Sequence, residues 1–320
     1  MKPQAYTEFQ PLEEVLIGRC FDSKIVDNFE AIPKVKSLLK RLFDETEEDF
    51  QHLIKVCKTY GAKVIRPDYD YSQIPNFEYP YLTQPRDSCI VIDNKIILSM
   101  GQNLPHLKTV AKSLKHYKEH FLIERLKLNG LLCPSIVRLG EDILGDVGGK
   151  GVEEKHWNFL KNYFTNFNFK HNKVITDEVQ PMGRSLHGDS IFAILKPGLI
   201  LTERRSHLFA DLYPNWDIIQ VEKSRHNILD WNVGLKGKIY PYFYRFDNKK
   251  YHQEAFYQYI EKWLLDWVGY SQETVWDLNC LVLDEENVVF SQENKELFKK
   301  LEKYKINPIV SPYRHRWFWD

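Results

Sequence analysis

With 320 residues, 43% of them hydrophobic and 28% charged, the chain is long enough for one large domain or two and has an ordinary globular make-up. Lysine plus arginine and aspartate plus glutamate both number 44, which removes bulk charge as a reason to bind nucleic acid or an anionic membrane. Five scattered cysteines without a CxxC pair argue against a disulfide scaffold, and the N-terminal MKPQAYTEF lacks the apolar core of a signal peptide, so a reducing, cytoplasmic setting is expected.

In chain order, residues 11–18 (PLEEVLIG) open an incomplete strand unit. Residues 47–60 set Phe50, Leu53, Ile54 and Cys57 at helical spacing, stop at Gly61 and lead into AKVIRP. Residues 88–99 (SCIVIDNKIILS) read as two short strands turning at Asp93-Asn94. The lysine-rich stretch 112–127 reads as an amphipathic helix, with His116 and His120 on its solvated face rather than paired on a metal. Further hairpins are predicted at 135–145 (SIVRLGEDILG), turning at Gly140-Glu141-Asp142, and at 189–202 (DSIFAILKPGLILT), turning at Lys196-Pro197-Gly198. Residues 206–213 then precede a strand, WDIIQV. The last hairpin, 279–291 (NCLVLDEENVVFS), is followed by a helix over 291–304 carrying Leu297, Leu301 and Tyr304, and then by INPIVSP.

Hairpin, helix, strand therefore recurs about five times with unequal insertions. Units that each bury a sheet face against their neighbours predict one α/β domain over 1–320, closed like a propeller rather than opened as a doubly wound sheet.

The run Gly145-Asp-Val-Gly-Gly-Lys-Gly151 is not a phosphate loop. A Walker A motif needs glycine where Leu144 stands and serine or threonine where Gly151 stands, so a mobile loop after a hairpin is expected. No histidine shows metal-ligand spacing, and no metal is expected. Two motifs stand immediately ahead of hairpins: Pro85-Arg86-Asp87 and His187-Gly188-Asp189. If the second continues as strand, His187 and Asp189 share a face, the arrangement of a general acid/base beside a carboxylate. If the units are equivalent about an axis, Asp87, His187 and Asp189 share a pocket suited to a planar cation, because carboxylates accept guanidinium hydrogen bonds in pairs. A surface turn with a local Arg86–Asp87 pair is the alternative for the first motif.

On these residues, together with Pro197-Gly-Leu-Ile-Leu201, Leu278-Asn-Cys-Leu-Val-Leu-Asp-Glu285 and Arg314, the chain resembles the amidinotransferases, glycine amidinotransferase-like members of the guanidino-modifying pentein superfamily. The resemblance implies a five-bladed α/β propeller around a central pocket, without cofactor, acting on arginine and a small amine such as glycine, with a homodimer as a possible state. It also implies a cysteine thiolate that takes the amidino group as a thiouronium before the amine receives it. By the same resemblance His187 is the acid/base, Asp189 orients it and contacts the guanidinium, Asp87 contacts substrate, and Arg205 or its neighbour Arg204 binds the substrate carboxylate.

Two departures accompany the resemblance. The acid expected before the second full hairpin falls on Leu132, and Glu141, Asp142 and Asp146 are the nearest acids. The family's Gly-Gly-x-His-Cys nucleophile segment would follow residue 320, so the expectation is either a truncated member with an open sheet edge or one without catalysis. Cys280 is expected as a buried core thiol, and Cys133 is the stand-in nucleophile to test. A hydrolase of the arginine deiminase type and an arginine-binding protein without turnover are the other readings.

Overall fold

Paired apolar tetrads separated by turn residues form a hairpin at each expected place in the computed structural model, which describes residues 4–28, 33–68, 83–98, 105–122, 131, 133–145, 152–171, 189, 192–202, 207–221 and 277–315. The first hairpin joins β3 (Cys89–Ile92) to β4 (Lys95–Leu98) through Asp93, whose φ of 53° suits an Asp-Asn turn. The second joins β6 (Ile136–Leu139) to β7 (Asp142–Gly145) through Gly140, at φ 73°. The third joins β9 (Phe192–Lys196) to β10 (Leu199–Thr202) through Gly198, at φ 79°. In the fourth, β12 (Leu281–Val282) turns to β13 (Asn287–Phe290) as the Asp284 carboxylate accepts the backbone N–H groups of Glu286 and Asn287.

Each hairpin gains a third, parallel strand on its second member. These strands are β5 (Phe121–Leu122) on β4, β8 (Asn168–His171) on β7, β11 (Asp217–Gln220) on β10 and β14 (Asn307–Val310) on β13. The incomplete first unit has the same parallel step without the hairpin: β1 (Glu14–Leu16) pairs with β2 (Lys63–Ile65). The described residues thus form five small sheets, four of three strands and one of two. The units repeat down to single bonds. Lys63 N–H donates to Glu13 O, Asn168 N–H to Glu141 O, Asp217 N–H to Gly198 O and Asn307 N–H to Glu286 O, so these four parallel strands each enter on the carbonyl just before the strand they join.

Helices make the crossovers that parallel pairing requires. They are α1 (Pro33–Thr59), α3 (Pro105–Ser113), α4 (Glu154–Tyr163), α5 (His207–Ala210) and α6 (Lys295–Glu302), while α2 (Pro85–Ser88) is a single turn ahead of β3. The buried apolar residues then link consecutive sheets. Ile96, Val110 and Tyr117 pack with Leu16 and Ile65; Ile92 and Ile97 with Ile136, Ile143 and Trp157; Val137 and Leu144 with Phe192 and Ile200; and Leu195 and Leu201 with Val282 and Phe290. Residues 311–315 fold back onto α1, where Phe50 meets Tyr313 and Arg314 pairs with Asp49.

Two expectations need correction. The helix expected over 112–127 ends at Ser113; a 3-10 turn, Lys115–His120, follows, and then β5. The open edge of β4 takes Phe121 and Leu122 as strand, a tertiary pairing that overrides helical periodicity. His116 does not merely face solvent, because its Nε2 lies 3.2 Å from Glu14 Oε1 on β1. The loop expected over 145–151 loses its first residue to β7, and 146–151 lie outside the described residues. Among the described residues no helix is long and apolar enough to cross a membrane.

Candidate functional site

A cavity of about 800 Å³ is bounded by residues of all five sheets, including Leu16, Val91, Val137, Ala193 and Val289. Six carboxylates line its described wall (Glu8, Glu13, Glu14, Asp49, Asp87 and Asp189) against three cations, Lys63, Arg86 and Arg138. Such a half-open cavity, largely apolar with a surplus of anions, favours a cationic ligand with an apolar stem.

Pro85 opens α2 at the position where its fixed φ suits a helix start, and the turn presents Arg86 and Asp87 together to the cavity. Asp189 reaches the same cavity from ahead of β9. It stands in a helical turn three residues before that strand begins, so the face-sharing argument from strand alternation does not apply to it. The charge of the neighbouring Asp87 acts on Arg86, and two acids distant in sequence meet its guanidinium as well. Its Nε donates to Asp189 Oδ2 at 3.1 Å, and its Nη1 lies 3.7 Å from Glu8 Oε2. Burial lowers the Arg86 guanidinium pKa, but Glu8 and Asp189 outweigh that and hold it above the ordinary arginine value.

Arg138, on β6, completes the charged cluster. Its Nε donates to Glu8 Oε1 and its Nη2 to Glu8 Oε2, both at 2.9 Å, while its Nη1 donates to the carbonyl of Val91 at 3.0 Å. Burial works against ionisation of Glu8, yet Arg138 and Arg86 bring its pKa down to about 2. Sequence reading assigned no role to either partner. Arg138 carried a signal, a charge inside an otherwise apolar strand; Glu8 carried none, because only the fold brings residue 8 to residue 138.

Of the predicted site residues, Asp87 and Asp189 line one cavity, while His187, Arg204 and Arg205 lie outside the described residues, as do Leu132 and Asp146. Asp142 begins β7 and pairs with Lys170 at 2.6 Å. None of the five cysteines is in a disulfide. Cys280 is half-buried and packs against the core cluster of Val282 and Phe290; it also borders the cavity, as does Cys89, and burial pushes both thiols up to about 12. Burial also raises Cys57, to about 11, and Cys20. Cys133 is fully buried in the turn Cys133–Ser135, packed against α2 and close enough to Arg86 to act on its charge.

No protein-family model matches the chain, and no curated protein matches it in sequence. Solved structures match it in fold. The chain has the α/β fold shared by the amidinotransferases and related guanidine-modifying enzymes, the pentein proteins of the sequence resemblance. It is similar to SxtG, an amidinotransferase of the saxitoxin biosynthetic pathway from Microseira wollei, at 17% identity and a TM-score of 0.67 over 99% of this chain and 93% of that one. An inosamine-phosphate amidinotransferase from Streptomyces griseus is likewise 17% identical, with a TM-score of 0.62 over 99% of this chain and 92% of the other. Dimethylarginine dimethylaminohydrolase from Pseudomonas aeruginosa, solved with citrulline, is 10% identical, with a TM-score of 0.56 over 97% and 96% of the two chains.

Proposed function

We propose that this chain is an amidinotransferase-like protein whose five units stand as propeller blades around the cavity, and that the cavity binds the guanidinium of arginine with Asp87 and Asp189. The observation that carries the reading is that those two carboxylates line one anion-rich cavity, reached from ahead of two different sheets. The clusters that link each sheet to the next, with the C-terminal segment returned to α1, support the ring. Two carboxylates offer a guanidinium paired, charge-assisted hydrogen bonds, and the apolar wall suits its methylene stem.

In the reaction the resemblance implies, a thiolate attacks the guanidinium carbon and the bond from that carbon to the ornithine nitrogen breaks. His187 gives the leaving amine its proton. The acceptor amine, glycine or another, then attacks the thiouronium carbon, His187 takes that amine's proton, and the thiolate leaves. Arg205 holds the carboxylate of arginine. A thiolate is needed first, and Cys20, Cys57, Cys89 and Cys280 are all shifted toward the protonated form. That shift favours a second reading, arginine binding without turnover. Cys133, beside Arg86, is the thiol whose replacement decides whether this chain supplies its own nucleophile.

Calorimetric titration with arginine tests the binding step: saturable binding is expected, reduced at least tenfold in Asp87→Ala and in Asp189→Asn. Absence of binding by any guanidino compound overturns the proposal. Ornithine release that depends on added glycine marks transfer. Citrulline formed without an amine marks hydrolysis, and binding with neither product marks the second reading. If ornithine is released, its loss in Cys133→Ser assigns the nucleophile.

A further inference from the structure

The cavity holds three linked charges, Arg138, Glu8 and Arg86, that end on Asp189 and are themselves used by no step of the proposed reaction. Glu8 stands on an N-terminal segment whose backbone is fixed against two hairpin turns. Ala5 and Asp93 exchange backbone hydrogen bonds, Gly140 N–H donates to Tyr6 O, and Glu8 N–H donates to Arg138 O. The Glu8 carboxylate is gripped three times by one residue, through the backbone N–H of Arg138 at 3.2 Å and its Nε and Nη2 at 2.9 Å. Arg138 is itself tied to Val91 O. Glu8 is therefore an anion held in place from two sheets.

Arg86 is the opposite case. Its long side chain leaves a one-turn helix and is 41% exposed against 15% for Arg138, so its rotamer is less constrained by packing than that of Arg138. Among the described residues its guanidinium is held by an anion on either side, Glu8 near Nη1 and Asp189 at Nε.

We propose that Glu8 is a positioning residue of the guanidinium site, acting through Arg86 on Asp189; this rests on the reading that the cavity takes a guanidino ligand. Held by Glu8, Arg86 meets Asp189 through its Nε edge and sets the orientation in which that carboxylate faces the ligand. Released from Glu8, the same guanidinium can turn its two-nitrogen fork onto Asp189, the geometry a guanidino ligand needs, and compete with it. Glu8 thus keeps an internal guanidinium from standing in for the external one.

The test combines a ligand-free readout with a double-mutant cycle on the full chain. Without ligand, the Arg86 Nε–H resonance exchanges slowly in the unchanged protein and fast in Glu8→Gln; equally slow exchange in both overturns the proposal. With arginine as probe, Glu8→Gln weakens binding about tenfold, and by less than twofold when Arg86 is already replaced by Met, because the effect travels through Arg86. Equal weakening in the two backgrounds overturns it as well. Arg86→Lys keeps a cation beside Glu8 but loses the Nε donor, and it gives the same tenfold loss even if Glu8→Gln folds poorly; wild-type affinity in this variant counts against the clamp. If the unchanged protein binds no arginine, the function reading falls, while the exchange experiment still decides the clamp.

Discussion

At the scale of single residues, Gly145 shows how closely the units are fitted. A Cβ at this position would lie 2.2 Å from Trp157 Cζ3, so the indole of α4 lies directly on the backbone of β7. Gly145→Ala forces that ring, which is 4% exposed, out of a closed core, and overpacking of this kind costs about 1–3 kcal/mol. A thermal melt is expected to show a fall of several degrees, while an unchanged melting temperature would mean that the ring shifts freely. The sequence presented this glycine as the start of a phosphate-loop-like run; its contact with Trp157 is a packing reason for it. Asp87 was legible before the fold because an acid beside a strand start is visible in one dimension. Glu8 was not, because its partners Arg138 and Arg86 lie 130 and 78 residues away along the chain.

At the scale of elements, the first and last helices end in the same way. After α1, Gly61 N–H donates to Lys58 O and Ala62 N–H to Cys57 O, with Gly61 at φ 87°, a Schellman ending. After α6, Lys305 N–H donates to Glu302 O and Ile306 N–H to Leu301 O, with Lys305 at φ 59°. The turn is one device used twice, but the second copy puts a lysine into the left-handed region at a steric cost of about 1–2 kcal/mol. Lys305→Gly is expected to stabilise the protein by about 0.5–1 kcal/mol once the greater freedom of the unfolded glycine is counted. Denaturant unfolding checks this, and no gain would mean that the lysine side chain contributes as much as the strain removes. The stop at Gly61 was readable because glycine names its conformation. The equivalent stop at Lys305 had no such letter, and only the strand that follows reveals it. β5 was missed for a related reason: two residues are too few to show a period of two.

At the scale of the whole molecule, the C-terminal segment on α1 couples stability to pH. The ring of His315 is fully buried with its Nε2 2.7 Å from Glu45 Oε2, and burial brings the imidazole pKa down from 6.5 to about 4 despite the carboxylate beside it. Between those values the unfolded chain binds a proton that the folded chain refuses, so this residue withdraws stability as pH falls from 6.5 toward 4. The total withdrawn is at most about 3 kcal/mol, because each tenfold difference in proton affinity between the folded and unfolded chain is worth ~1.4 kcal/mol. Glu45 acts in the same direction. Burial raises its pKa, but Arg41 and His315 lower it further, so its share is present above its ordinary 4.5 and is lost as pH falls below that value. Urea unfolding is expected to show about 2 kcal/mol less stability at pH 5 than at pH 7, most of that slope disappearing in His315→Leu. An equally steep slope in the variant would place the proton uptake elsewhere.

The sequence by itself determined the local elements and their order. Apolar tetrads, turn residues with particular backbone preferences and helix stops act over a few neighbours, so the repeated unit could be counted from them, as could its likeness to the amidinotransferase pattern. Only the tertiary structure decided that Asp87 and Asp189 line one cavity, that Arg86 reaches Asp189, and that Glu8 belongs to the same ionic chain. The physical reason is that charge pairing depends on distance in space, and here that distance is set by how five separately buried sheets come together.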